Sequence, residues 1–199
     1  MQAALALSRG IDAVNLRIGK ILSWLILVAI LVSAANAVVR KVLDTSSNAW
    51  LELQWVLFGV VFLMCAPWTL LANEHIRIDI VNNMFPAKVR NWIDIVGHVF
   101  FLIPLCAIML VTSLPFFLRS YEINEQSMNA GGLPQWPAKA VVFLGFFFLL
   151  LQALSELIKR IAVLRGLIPD PYAATGGHLA SAESEVERLL AEAPKTEIR

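Results

Sequence analysis

The chain alternates between long apolar blocks and short polar connections, and four blocks are each long enough to cross a ~30 Å hydrocarbon layer. They run from Ile18 to Val39, Leu51 to Ala72, Trp92 to Leu118 and Ala140 to Ile158, and each carries few charges. A backbone in lipid must satisfy its own hydrogen bonds, so the pattern predicts an all-α membrane protein with four transmembrane helices over 18–165. Pro67, Pro104 and Pro115 fall inside blocks two and three. Neighbouring helices absorb such prolines in a membrane, and kinks are expected there.

Between blocks two and three, residues 73–91 alternate in character. Ile76, Ile78, Ile80, Val81, Met84 and Phe85 are apolar, whereas His75, Arg77, Asp79, Asn82 and Asn83 are polar. Such a segment can lie in the headgroup plane as a membrane-parallel amphipathic element, with a plain polar loop as the alternative. Pro86 then suits the first turn of the next helix, and Trp92 suits the interface. After Pro169, Pro171, Gly176 and Gly177 the chain turns acidic, with Val186, Leu189 and Leu190 at helical spacing. Residues 166–199 therefore read as a mobile cytoplasmic tail with one short helix.

Lys and Arg near the span ends set the orientation. Arg9, Arg17, Lys20, Arg77, Lys88, Arg90, Lys159, Arg160 and Arg165 fall on one side; Arg40, Lys41, Arg119 and Lys139 fall on the other. Both termini, including residues 1–17, are thus expected in the cytoplasm. Arg9, Arg17 and Lys20 before an apolar stretch and Ala35-Asn36-Ala37 imitate a secretory signal with its cleavage site. The stretch overruns signal length and closes on Arg40-Lys41, so a membrane span is the expected reading.

Composition narrows the function. With 58% hydrophobic and 16% charged residues over 199 positions, the chain is too apolar for an ordinary soluble domain. A net charge of +1 with no basic stripe argues against nucleic acid as a partner. Cys65 and Cys106 lie in apolar blocks without metal-type spacing and read as small buried hydrophobes. No phosphate loop, nucleophile triad or metal cluster is evident, so neither an enzyme nor a cofactor is expected.

The ionisable groups in the blocks are few. Glu52, one turn before Trp55, reads either as a proton or cation site or as an interface-level carboxylate bonded to a neighbour; its place near a span end favours the latter. Asp94 and His98 are spaced i, i+4, which suits a local hydrogen-bonded pair better than a metal site. Gln152 and Glu156 repeat that spacing, and Arg160 one turn further on suits an ion pair with Glu156 or a docking point for a partner subunit.

Several stretches together resemble the small membrane subunit of a TRAP transporter, the DctQ-like family. These are Glu52-Leu53-Gln54-Trp55, Asn73-Glu74-His75-Ile76-Arg77-Ile78-Asp79, Pro134-Gln135-Trp136-Pro137-Ala138-Lys139 and QALSELIKRI from Gln152 to Ile161. The similarity covers about Arg17 to Arg165 in order and spacing, and the last two stretches are closer to the branch for 2-oxo acids, mannitol or chloroaromatic acids than to the sialic-acid branch. The resemblance implies a tripartite secondary transporter of the bacterial inner membrane. In it a periplasmic solute-binding (P) protein captures an organic acid, and a large permease (M) subunit moves it by a sodium-coupled elevator motion. The small subunit braces the static part of the large one against membrane lipid. It further implies that Glu52, Trp55, His75, Arg77, Asp79, Trp136 and Glu156 set packing and subunit contact, with the Trp-rich outer connections facing the solute-binding protein. Two other classes compete: a small proton-coupled exporter using Glu52, and a cytochrome-type membrane anchor.

Overall fold

A computed structural model describes residues 2–45, 47–72 and 87–168. Its helices are α1 (Gln2–Ser23), α2 (Leu25–Val42), α3 (Asn48–Ala72), α4 (Ala87–Gly97), α5 (Ile103–Glu122) and α6 (Trp136–Leu164). A π turn, His98–Leu102, joins α4 to α5. Four stretches are long and apolar enough to cross a membrane: Gln2–Val42, Asn48–Ala72, Val89–Glu122 and Trp136–Leu164. The chain is an all-α membrane protein, as the apolar blocks require. The amphipathic segment expected between blocks two and three lies mostly outside the described residues, as does most of the expected tail.

The first apolar stretch is longer than the block that marked it. Helix begins at Gln2 and breaks only at Trp24, where the Ser23 hydroxyl donates to the Lys20 carbonyl at 2.9 Å. Such back-bonding competes with the ladder and bends helices. Trp24 and Leu27 then continue through tight i→i+3 bonds, Trp24 N–H to Ile21 O and Leu27 N–H to Trp24 O. Ala35-Asn36-Ala37, the apparent cleavage site, lies inside α2.

The prolines are handled differently. Pro67 and Pro115 sit deep within α3 and α5, whereas Pro104 is the second residue of α5, just after the π turn. Proline has no N–H to give to the preceding turn, and the wider turn, closed by Ile103 N–H on His98 O, takes up the irregularity.

Long α6 is the spine, packing extensively against both α3 and α5, while α1 crosses α3 and α6 and α2 rests on α3. Small buried residues on α6, Gly145, Ala153, Ser155 and Ala162, allow close approach, the usual basis of helix association in lipid. Gly19 does the same on α1: a Cβ there would fall 2.7 Å from Trp68 Cβ on α3. Elsewhere the surface is apolar, with Phe62, Phe101 and Val111 well exposed, as a lipid-facing exterior needs. Two ends result. One carries the α5–α6 loop; the other carries Arg9, Arg17, Arg90, Lys159 and Arg160.

Candidate functional site: two polar fastenings

At the loop end, Glu52 on the first turns of α3 is 5% exposed. Its Oε1 accepts from the Ser127 hydroxyl and from Asn129 Nδ2 at 2.8 Å, and its Oε2 accepts from the Leu133 backbone N–H at 2.6 Å. One carboxylate thus gathers three donors from the α5–α6 loop. Such convergence holds a loop because charge-assisted bonds are stronger than neutral ones.

The loop is preshaped for this. Asn124 takes φ 46° at the end of α5, and Glu125 N–H reaches Ser120 O at 3.0 Å, closing a Schellman cap. Gln126 and Pro134 pair as an antiparallel bridge. Gly132 sits so close that a Cβ would fall 2.7 Å from Glu52 Oε1. Asn48 Nδ2 donates to Ala130 O at 3.0 Å, and Lys139 pairs with Glu125 while lying 4.1 Å from the centre of the Phe116 ring. The Lys139 ammonium, bonded to Glu125, holds the Glu125 carboxyl below its ordinary value. Trp136 packs edge-on to Tyr121 at 5.5 Å, fixing the start of α6 to the end of α5.

Beneath the loop a cavity of about 550 Å³ opens between α3 and α6, lined by Glu52, Trp55, Gly59, Leu63, Met128 and Val142 among others. Trp55, 64% exposed, stands at its side with Phe58 and Phe62 at i+3 and i+7 along the same exposed row of α3.

At the basic end the fastening joins α1 to α6. Asp12 Oδ1 accepts from Ser155 Oγ at 2.7 Å and Gln152 Nε2 at 2.9 Å, and its Oδ2 accepts from Lys159 Nζ at 3.0 Å. Gln152 Oε1 accepts from Asn15 Nδ2 at 2.7 Å, and the Ser8 and Ser155 hydroxyls lie 2.7 Å apart. Glu156 accepts from Gln152 at 3.1 Å and from Lys159 at 2.5 Å.

Arg160 reaches across to α4, with Nη2 2.9 Å from Asp94 Oδ2 and Nη1 2.7 Å from Asn91 Oδ1. His98 Nδ1 donates to the Asp94 backbone carbonyl at 2.7 Å, so the i, i+4 pair meets through main chain while the Asp94 carboxylate goes to Arg160. Glu156 takes Lys159, one residue short of the partner its spacing suggested. A long side chain pairs with whichever partner packing brings nearest, and here α4 and α1 lie against α6.

Of the expected contact residues, Glu52 and Trp55 share the loop-end cavity and Trp136 stands beside it. Glu156 belongs to the other fastening, a whole span away. His75, Arg77 and Asp79 lie outside the described residues. Sequence reasoning missed Asp12 and the loop donors Ser127 and Asn129. Asp12 had a signal, since Ser8, Asp12, Asn15 and Gly19 recur at i, i+4, i+7 and i+11, on a different face of the helix from Arg9, Arg17 and Lys20. The loop donors had only the Gly131-Gly132 pair to mark a close approach.

Compared with known proteins, residues 23–163 match the family model described as "Tripartite ATP-independent periplasmic transporters, DctQ component". The match runs from the last residue of α1 nearly to the end of α6. No curated protein and no solved structure matches the chain.

Proposed function

The chain belongs to the DctQ family, the small component of TRAP transporters, and on that premise we propose that it braces a separate large permease subunit during sodium-coupled uptake of an organic acid. The observation that carries this reading is how the polar groups in the spans are spent. Glu52 has both carboxylate oxygens committed to loop donors, Asp12, Gln152 and Arg160 tie one helix to another, and Glu156 holds Gln152 and Lys159 in place on α6. A carrier site needs a titratable group that can exchange partners. A brace needs fixed ones, and a moving transport domain needs a frame that stays put.

The basic end is assigned to the cytoplasm of a bacterial inner membrane, because Arg9, Arg17, Lys20, Arg90, Lys159, Arg160 and Arg165 outnumber Arg40, Lys41, Arg119 and Lys139. The loop end then faces the periplasm, where Met128 and its neighbours meet the solute-binding protein. The row Trp55, Phe58 and Phe62 is the surface assigned to the large subunit, since exposed aromatics are over-represented at protein interfaces. Glu52 and Trp136 hold the loop beside that surface. Glu156 orients Gln152 and Lys159, two α6 residues that reach α1, and His75, Arg77 and Asp79 are assigned to subunit contact at the cytoplasmic side.

Co-expression with a large permease and affinity purification of the tagged chain tests this. A stable pair, with solute uptake that requires both, is the expected result. Solute flux through the isolated chain in vesicles, or proton-driven efflux abolished by Glu52→Gln, would defeat it.

A further inference from the structure

Helix α1 is divided by chemistry into three longitudinal sectors. At about 100° per residue, Ser8, Asp12, Asn15 and Gly19 fall within an arc of about 60°. That sector is turned inward: Ser8, Asn15 and Gly19 are buried, and Asp12 is bonded to α6. Leu7, Val14 and Ile21, which are 62%, 48% and 70% exposed, share a second arc of about 40°. Arg9, Arg17 and Lys20, all exposed, share a third of about 80°.

The helix is therefore polar where it meets protein and apolar plus cationic where it does not. Its sole acidic residue, Asp12, is committed to Lys159, Ser155 and Gln152. Among the described residues, the outer surface of α1 is left with an uncompensated positive charge beside an apolar strip.

Length decides where this helix can lie. Taken straight, the 41 residues of Gln2–Val42 would reach about 60 Å, twice the hydrocarbon thickness, whereas the 18 residues of α2 alone span about 27 Å. The chain bends at Trp24, which is 72% exposed, and α1 passes over α3 at Gly19 and over α6 at Asp12. A bend marked by an exposed tryptophan is what the membrane–water boundary favours.

We propose that α1 is an interfacial helix that binds anionic phospholipid, with Leu7, Val14 and Ile21 among the acyl chains and Arg9, Arg17 and Lys20 on the lipid phosphates. The inward polar sector then acts as a hinge plate that bolts this lipid-gripping helix to α6. The basic end of the bundle is thereby held at the headgroup level, which gives a brace a fixed depth. The inference adds to the scaffold reading and uses its orientation, but concerns a helix that lies almost entirely ahead of the family match.

The test titrates short-chain phosphatidylglycerol or phosphatidylcholine into the detergent-solubilised full chain. Tight, salt-sensitive binding of phosphatidylglycerol alone is expected. Each of Arg9→Gln, Arg17→Gln and Lys20→Gln should weaken it roughly fivefold, and the triple variant on the order of a hundredfold. The exposed pair Arg40→Gln/Lys41→Gln, at the other end, should leave it unchanged. Equal affinity for both lipids, full affinity in the triple variant, or an equal loss in the Arg40/Lys41 control would each overturn the inference. So would a triple variant that keeps its lipid affinity but no longer purifies with the large permease, because the basic sector would then be a protein-docking face. Since co-purification of the wild-type chain is read separately, failure of lipid binding leaves the scaffold reading standing, and the reverse also holds.

Discussion

Glu52 and Leu133, separated by 81 positions in sequence, are joined by a 2.6 Å hydrogen bond from the Leu133 amide to Glu52 Oε2. The bond closes the α5–α6 loop onto the start of α3. It turns the most conspicuous acidic residue of the apolar blocks into an anchor.

Glu52→Gln puts a donor NH₂ where an acceptor oxygen is needed, so two donors meet at one of the loop contacts. Faster hydrogen exchange at Ser127 to Leu133, with the helices unchanged, is the expected outcome. Gly132→Ala should loosen the same loop by overpacking, at about 1–3 kcal/mol, read as a lowered thermal midpoint in detergent. An unchanged loop in both variants would show that the anchor is not structural.

Arg160 joins α6 to α4 through Asp94 and Asn91. Arg160→Gln takes a charged partner from the mostly buried Asp94 carboxylate and should cost about 1–3 kcal/mol. Asp94→Asn combined with Arg160→Gln should cost less than the two single losses added together. A double-mutant cycle on thermal unfolding measures that coupling, and strict additivity would contradict the pairing.

Asp12→Asn leaves Lys159 without one of its two carboxylates and weakens the bond from Ser155. Helix α1 should detach, at about 1–3 kcal/mol, while α2 to α6 stay packed. Trypsin cleavage at Arg9 and Arg17 should accelerate severalfold, and protection of α6 amides should persist. Cleavage at the wild-type rate would mean that Gly19 and the serines hold α1 unaided.

The Glu125 carboxyl is lowered below its ordinary value of 4.5 by the bonded Lys139. The folded loop therefore binds fewer protons than the unfolded one. Its contribution is fully present above the ordinary value and disappears as acid titrates past it toward the lowered one. Loop protection should be flat from neutral pH to about 5 and fall below that. In Glu125→Gln the acid-dependent part should shrink, and an unaltered profile would remove Glu125 from the account.

Trp55→Ala together with Phe62→Ala removes exposed rings that pack little within the chain itself. Yield and thermal midpoint should stay near wild type, while affinity for the large permease falls roughly thirtyfold or more, the scale of an interface hot spot. Undiminished co-purification would relocate the contact surface.

The spans were legible because the bilayer imposes a local rule: enough consecutive apolar residues to cover the hydrocarbon layer. The kinship was legible too, since Glu52 to Trp55, Pro134 to Lys139 and Gln152 to Ile161 are contiguous words. The helical nature of residues 2–17 was hidden by Arg9, Asp12, Asn15 and Arg17, which break the apolar run although each suits one sector of a helix. Periodicity reveals that only after the inward sector is known.

Sequence alone determined the number of apolar stretches, the charge imbalance between the two ends and the family. Those follow from composition and order along the chain, which no packing can alter. Tertiary structure decided what each polar group is for. Glu52 serves a loop 81 residues away, Arg160 answers Asp94 on α4 and not only its own helix, and Asp12 gathers three donors from α6. In a medium without water to fall back on, a polar side chain bonds to whatever donor or acceptor its neighbouring helix presents, and spacing within one helix cannot say which neighbour that is.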